Sequence, residues 1–298
     1  MATAIILFGC GSENGGSATT SEAGSSTSTS ATSTSIPTTT TTESPDTTTS
    51  TVPADTGAVV YFLLDELEAD AGGPFLVPVY RDVTGDTPAD ALEALVAGPT
   101  DDERAGTPSI SSAIPDATTI LGVEVDGTIA RVDLSDEFDD GGGSFSMFAR
   151  LAQVVYTVTR FDGVDQVEFL IEGVPVTVFS SEGIELDGPQ DRSDYYDQLP
   201  PIFVDRPAWG EPVTSPVTVN GLSNVFEAVS QVMLTDDDGA PLFEGTVMAT
   251  CGTGCWGEWE TEISYEIDRE QFGSLIVWES SAKDGSRINV REYPVQLR

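Results

Sequence analysis

Hydrophobic and polar positions repeat in two rhythms along this chain, and the pattern changes near residue 57 and again near residue 200. "AVVYFLL" (58–64) and "FLVPVYRDV" (75–83) are β-branched and aromatic runs between turn residues and predict two strands. "TPADALEALVAGP" (87–99) predicts a helix. Thr87 is its N-cap, Pro88 stands in the first turn, Asp90 completes a capping box, and Leu92, Leu95 and Val96 share one apolar face. Gly98 and Pro99 end it. "TTILGVEVDGTIARVDLS" (118–135) sets Asp126-Gly127 between two alternating runs and predicts a hairpin. In "SFSMFARLAQVVYTVTRF" (144–161), Phe148, Leu151, Ala152, Val155 and Val158 fall at helical spacing, with Ser144 as the expected N-cap. "VDQVEFLIEGVPVTVF" (164–179) adds a pair of strands around Glu172-Gly173, so the order is β-β-α-β-β-α-β-β.

Beyond residue 200 the helical period disappears. Seven short runs, from "IFVD" to "INVREYPVQL", are separated by turn clusters such as Asp236-Asp237-Asp238-Gly239 and Asp284-Gly285. Short strands at regular spacing predict an all-β sandwich. Residues 11–57 are the opposite case. They are almost entirely Ser, Thr and small residues with scattered Pro, and have too little apolar surface to offset the entropy of ordering a chain. The expected organisation is a signal remnant at 1–10, a disordered Ser/Thr-rich tether at 11–57, an α+β domain at 58–195 and the sandwich at 200–298. A flexible coil of about 45 residues has an end-to-end distance of roughly 35–40 Å.

Charge narrows the function classes. Twelve Lys and Arg against fifty Asp and Glu give a formal charge of −38, and the chain contains no histidine. Such a surface repels nucleic-acid phosphates and anionic lipid headgroups. Without histidine, the commonest general base and zinc ligand are also missing. Acids are spread over both halves rather than massed in one block, which favours solubility in a saline habitat over a single basic-partner patch.

The three cysteines sit in two settings. "MATAIILFG" is apolar but shorter than the ~20 residues that span a bilayer, and Leu7-Phe8-Gly9-Cys10 resembles a bacterial lipobox. Cys10 is therefore the expected lipidation site, tethering the protein to the outer face of the cell membrane. No Lys or Arg precedes the run, which places the expected true start upstream of Met1. Cys251 and Cys255, in "TCGTGCWGEW", form either a disulfide closing a short loop or a zinc half-site that would need two further carboxylate ligands.

Other candidate chemistry is thin. Asp236–Asp238 cannot complete an EF-hand, because Leu234 and Gly245 occupy positions that need oxygen ligands. Paired acids abound, but no nucleophile motif or phosphate-cradling loop accompanies them. Four tryptophans, Trp209, Trp256, Trp259 and Trp278, are available for strand packing or for stacking on a sugar. Trp256 and Trp259 are the pair expected to be exposed if the sandwich binds cell-wall glycan.

Two resemblances add to this reading. "LEALVAGP", "SSAIPDATTILGVEVDGTIARVDLSDEF" and "RLAQVVYTVTRFDGVDQVEFLIEGVPV" resemble the GerMN domain of sporulation and spore-germination proteins. "SPVTVNGLSNVFEAVSQVMLTDDDGAPLFEG", "GCWGEWETEISY" and "ESSAKDGS" followed by "VREYPVQL" resemble Gmad2, the immunoglobulin-like domain that commonly follows it. The Cys251/Cys255 pair departs from that pattern. The resemblances imply a nonenzymatic envelope protein with no cofactor, acting as a scaffold or adaptor for envelope proteins or through self-association. Peptidoglycan binding is the alternative. If Cys10 is the anchor, mass spectrometry of the mature N-terminal peptide will find it diacylglycerylated; an unmodified Cys10 thiol would refute the anchor.

Overall fold

The computed structural model describes residues 57–65, 72–83 and 85–298, all within one compact unit. Cys10, its lipobox and all of the tether except Gly57 lie outside the described residues. In the first half, β1 (Gly57–Leu64) pairs antiparallel with β2 (Phe75–Asp82). Helix α1 (Pro88–Val96) follows, capped by Thr87 and Asp90 in a capping box. Its inner face is Ala91, Leu92 and Leu95, while Val96 is only half-buried. A short helix α2 (Asp101–Ala105) comes next, with its own Thr100/Glu103 capping box, and then β3 (Ile110–Ser111), which pairs with the end of β1.

The hairpin of β4 (Ile120–Asp126) and β5 (Ile129–Leu134) turns at Gly127-Thr128, since Asp126 itself pairs with Ile129. This is one residue later than the sequence pattern suggests, and Gly127 takes the positive φ the turn requires. Helix α3 (Ser144–Val158) crosses over to β6 (Gln166–Ile171), which runs parallel to β5. Its N-cap is Gly143 rather than Ser144, whose hydroxyl instead donates to Glu182 at 2.7 Å. Phe148 faces solvent, unlike the other apolar residues expected on this helix. β6 turns through Glu172-Gly173 into β7 (Val174–Pro175), and β8 (Val178–Phe179) pairs with β9 (Ile184–Glu185).

α3 is buried on all sides from Ala149 to Val158, and that burial forces a polar stripe onto it. Arg150, Gln153 and Thr157 lie one turn apart in succession. The Gln153 side chain donates to the Tyr61 carbonyl at 3.0 Å, and the Thr157 hydroxyl accepts the Tyr61 N–H at 3.1 Å. These two bonds satisfy the backbone of β1 beyond the reach of β3, as buried peptide groups require. Arg150 donates to the carbonyls of Ala113, Phe138, Asp140 and Gly141, which fixes the glycine-rich loop before the helix.

The second half is a sandwich. β10 (Ile202–Arg206), β12 (Val217–Ser223) and β15 (Gly257–Ile263) form one antiparallel sheet. β11 (Pro212–Val213), β17 (Arg287–Leu297), β16 (Gln271–Ser280), β13 (Val229–Thr235) and β14 (Pro241–Met248) form the other, in that order. Alternate residues such as Val219, Trp259 and Ile263 on one sheet, and Val232, Leu234, Val277, Tyr293 and Val295 on the other, are buried in a shared core. The Asp236–Gly239 turn joins β13 to β14, with the Asp236 carboxylate accepting N–H groups of Asp238 and Ala240. Gly221 of β12 pairs with Val204 of β10, and a Cβ there would lie 1.9 Å from the Phe203 carbonyl oxygen. Gly221→Ala should therefore cost about 2–3 kcal/mol by forcing the strands apart, measurable as a lower denaturant midpoint at unchanged slope.

Candidate functional site

The two halves meet through side chains that each half supplies for the other. On β1, the Tyr61 ring packs against Tyr156 of α3 at 5.4 Å between centroids and against Phe203 of β10 at 6.4 Å. Phe203 also meets Tyr156 edge-on at 5.9 Å. Beside this cluster lies the Asp205 carboxylate. Arg160, just past the end of α3, donates to Asp205 Oδ2 at 2.6 Å, and Arg192 donates to Oδ1 at 3.2 Å. The Tyr61 hydroxyl also donates to Asp205. Arg192 lies over the Tyr156 ring at 4.8 Å and donates to the Thr159 hydroxyl and the Tyr156 carbonyl.

Local sequence explains each placement. Arg160 follows the helix C-terminus, and Arg192 opens a 3₁₀ segment, Arg192–Gln198, capped by Asp191. Asp205 lies next to the last residue of β10, with its chain continuing to Trp209, whose N–H and C=O pair with Pro78 and Tyr80 of β2 at 2.9 Å each. Arg291 of β17 adds a further bridge across the junction, 5.3 Å above the Phe75 ring of β2.

Burial pushes the Asp205 carboxyl upward, but Arg192, Arg160 and the Tyr61 hydroxyl outweigh it and hold the group below the usual carboxylate range. Burial pushes Tyr61 up to about 12. Two arginines against one aspartate leave a net positive charge in the junction.

The expected site residues fall elsewhere. Cys251 and Cys255 are joined as a disulfide, with Cα atoms 5.8 Å apart, so their sulfurs are not free to bind zinc. The stapled loop docks on the turn before β13, through Thr253 N–H to the Val225 carbonyl and Gly254 N–H to Asn224. Trp259 is not exposed. It is 4% accessible because β15 points alternate residues into the sandwich, and that removes it from any glycan-stacking face. Trp256 is half-buried and packs on Tyr196 of the connecting segment at 5.5 Å. Trp278 is buried beneath Arg287, and half-buried Trp209 pairs with β2. Of the four, Trp259 and Trp278 are buried, while Trp209 and Trp256 keep part of their surface accessible. Among the described residues, no group of three or more Cys, Asp and Glu is placed to hold a metal ion.

Two recesses flank Asp205. A groove of about 620 Å³ includes Arg192, Tyr196, Phe203, Met248 and Trp259 in its lining, with Glu258 and Glu260 also bordering it. A smaller cleft of about 240 Å³ is bordered by Arg160, Arg206 and Glu211. Sequence reading missed the Asp205 cluster. Its only local signal is the scarcity of basic residues, which makes each arginine informative, but nothing in the chain pairs Arg160 or Arg192 with Asp205.

Comparison with known proteins locates the two halves among families. The Germane family model, described as sporulation and spore germination, matches residues 59–177. The Gmad2 model, an immunoglobulin-like domain of bacterial spore germination, matches residues 201–286. Among solved structures, the first GerMN domain of the sporulation protein GerM from Bacillus subtilis is 19% identical. That match covers 46% of this chain and 98% of that one, with a TM-score of 0.38. The tandem GerMN domains of GerM are 15% identical over 70% of this chain and 61% of that one, with a TM-score of 0.38. A Clostridium perfringens protein named as a candidate lipoprotein is 20% identical over 48% of this chain and 93% of that one, with a TM-score of 0.33. No curated protein sequence matches the chain.

Removing the Asp205 charge leaves Arg160 and Arg192 buried against each other. Asp205→Asn should cost about 3–5 kcal/mol. Because the folded-state value is depressed, this stabilisation is present above the ordinary carboxyl pKa of about 4 and is lost as pH falls through the folded value. The gap between wild type and variant should therefore narrow below about pH 4, as read by urea unfolding at several pH values; a pH-independent gap would contradict the assignment.

Proposed function

Because residues 59–177 form a GerMN domain and residues 201–286 a Gmad2 domain, we propose that the chain is a noncatalytic, lipid-anchored envelope adaptor. Cys10 carries the lipid, the Ser/Thr-rich segment sets the distance from the membrane, and the two domains act as a single body. The observation that carries this reading is the junction itself. Tyr61, Tyr156 and Phe203 are buried together, and Asp205 is clamped by arginines of the first domain and the connecting segment. A jointed pair of modules would not need such a contact, whereas an adaptor must hold its docking surfaces at a fixed separation.

Terminal strands supply those surfaces. β4 ends the four-stranded sheet of the GerMN domain and exposes Leu121 and Val125, each at 49%. β14 ends the larger sheet of the sandwich and exposes Met248 at 74%. Strand edges with exposed apolar side chains favour pairing with another protein. Among the described residues no helix is long and apolar enough to cross a membrane.

The reading is tested in the native cell. A photo-crosslinking residue at position 121, 125 or 248 is expected to trap a recurrent envelope protein or a second copy of the chain. The same residue on α1 at position 93 is expected to trap neither. Recovery of wall fragments alone, or a steady hydrolytic activity of the purified chain, would overturn it.

A further inference from the structure

The smaller recess beside the junction has the makings of a ligand site. Its 240 Å³ lie below the roughly 300–1,000 Å³ of drug-sized pockets, which limits an occupant to a few heavy atoms. Arg160 borders it and is nearly buried, with 8% of its side chain accessible. Its Nη1 is spent on Asp205 and on the Tyr61 hydroxyl, but its Nη2 is buried with no hydrogen-bond acceptor among the described residues. An unpaired guanidinium N–H in such a place is costly and calls for an acceptor.

Arg206, the last residue of β10, borders the same cleft, and its guanidinium has no ion-pair partner among the described residues. In a protein of charge −38 with twelve basic residues, two arginines turned to one small cleft is a strong local excess. Glu211 is the acid of the cleft. Its Oε2 accepts the Ala208 N–H at 2.7 Å, and it forms no ion pair with either arginine. The cleft therefore carries one net positive charge. Tyr80, Phe161 and Pro212 complete walls in which polar and apolar surface are about evenly shared.

We propose that this cleft binds a small monocarboxylate, with Arg160 and Arg206 as the anion-recognising groups and Phe161 and Pro212 beside a short aliphatic substituent. Guanidinium forks match planar carboxylates. Glu211 selects for a single negative charge, since a phosphate dianion placed there would meet its repulsion. The free terminus of a peptide and a free short-chain acid present the same chemistry. This inference is independent of the adaptor role and concerns the face beside β1, away from the β4 edge.

The test is calorimetric titration of the full chain, carrying Cys10→Ser to prevent lipidation. The probes are N-acetylalanine for a peptide terminus, propionate for a free acid, N-acetylalaninamide as the uncharged control, and inorganic phosphate. Saturable binding of one or both carboxylates is expected, the tighter of the two naming the source, with no binding of the amide and weaker binding of phosphate. Arg206→Gln should weaken the carboxylate about tenfold, the equivalent of one charge-assisted hydrogen bond. Glu211→Gln keeps an acceptor for Ala208 and should tighten it. Both variants alter groups outside the Asp205 clamp, so matching thermal midpoints will show that folding is intact. No carboxylate binding to the parent chain, phosphate binding as tight as carboxylate, or affinities unmoved by both substitutions would overturn the proposal.

Discussion

The junction between the two domains turns on the carboxylate of Asp205, which is shared by Arg160 of the first domain and Arg192 of the connecting segment. Buried charges are tolerated only when matched by a partner, so the cluster acts less as glue than as a specification. The aromatic contact of Tyr61, Tyr156 and Phe203 supplies apolar burial and tolerates small shifts. The carboxylate does not, because displacement would strand two guanidinium groups in the interior. Trp209, paired to both sides of Val79 on β2, adds backbone continuity to the same interface.

Scarcity of positive charge gives this arrangement its meaning. Of twelve basic side chains, Arg160 and Arg192 go to Asp205, Arg150 to the loop before α3, and Arg81 to a bidentate pair with Glu103. Arg131 and Arg269 make more exposed pairs with Glu168 and Asp237, which contribute little. Most of the acids are left facing water. A surface of that sign repels other polyanions at close range.

The staple between Cys251 and Cys255 holds its loop against the turn before β13, and Gly257 permits that approach, because a Cβ there would lie 2.3 Å from the Cys251 backbone. Half-buried Trp256 beside it packs one side on the connecting segment. Of the two tryptophans that in isolation suggest a sugar-binding platform, Trp259 is thus spent on the sandwich core.

By itself the sequence determined the local elements and their kinds. Capping box, hairpin turn, helical spacing and the seven strand runs are all encoded within a few residues of one another, where propensity and periodicity act. It also carried the two family patterns. Only the tertiary structure decided which side chains serve which purpose. Tyr61 meets Asp205 across 144 residues and Arg160 meets it across 45. Gln153 and Thr157 read as exceptions to an apolar helix until the unpaired backbone of Tyr61 is placed beside them. Trp259 looks available until β15 turns it inward. Burial, charge pairing and hydrogen-bond satisfaction are settled by neighbours distant in the chain, and a linear pattern holds no record of which distant groups will meet.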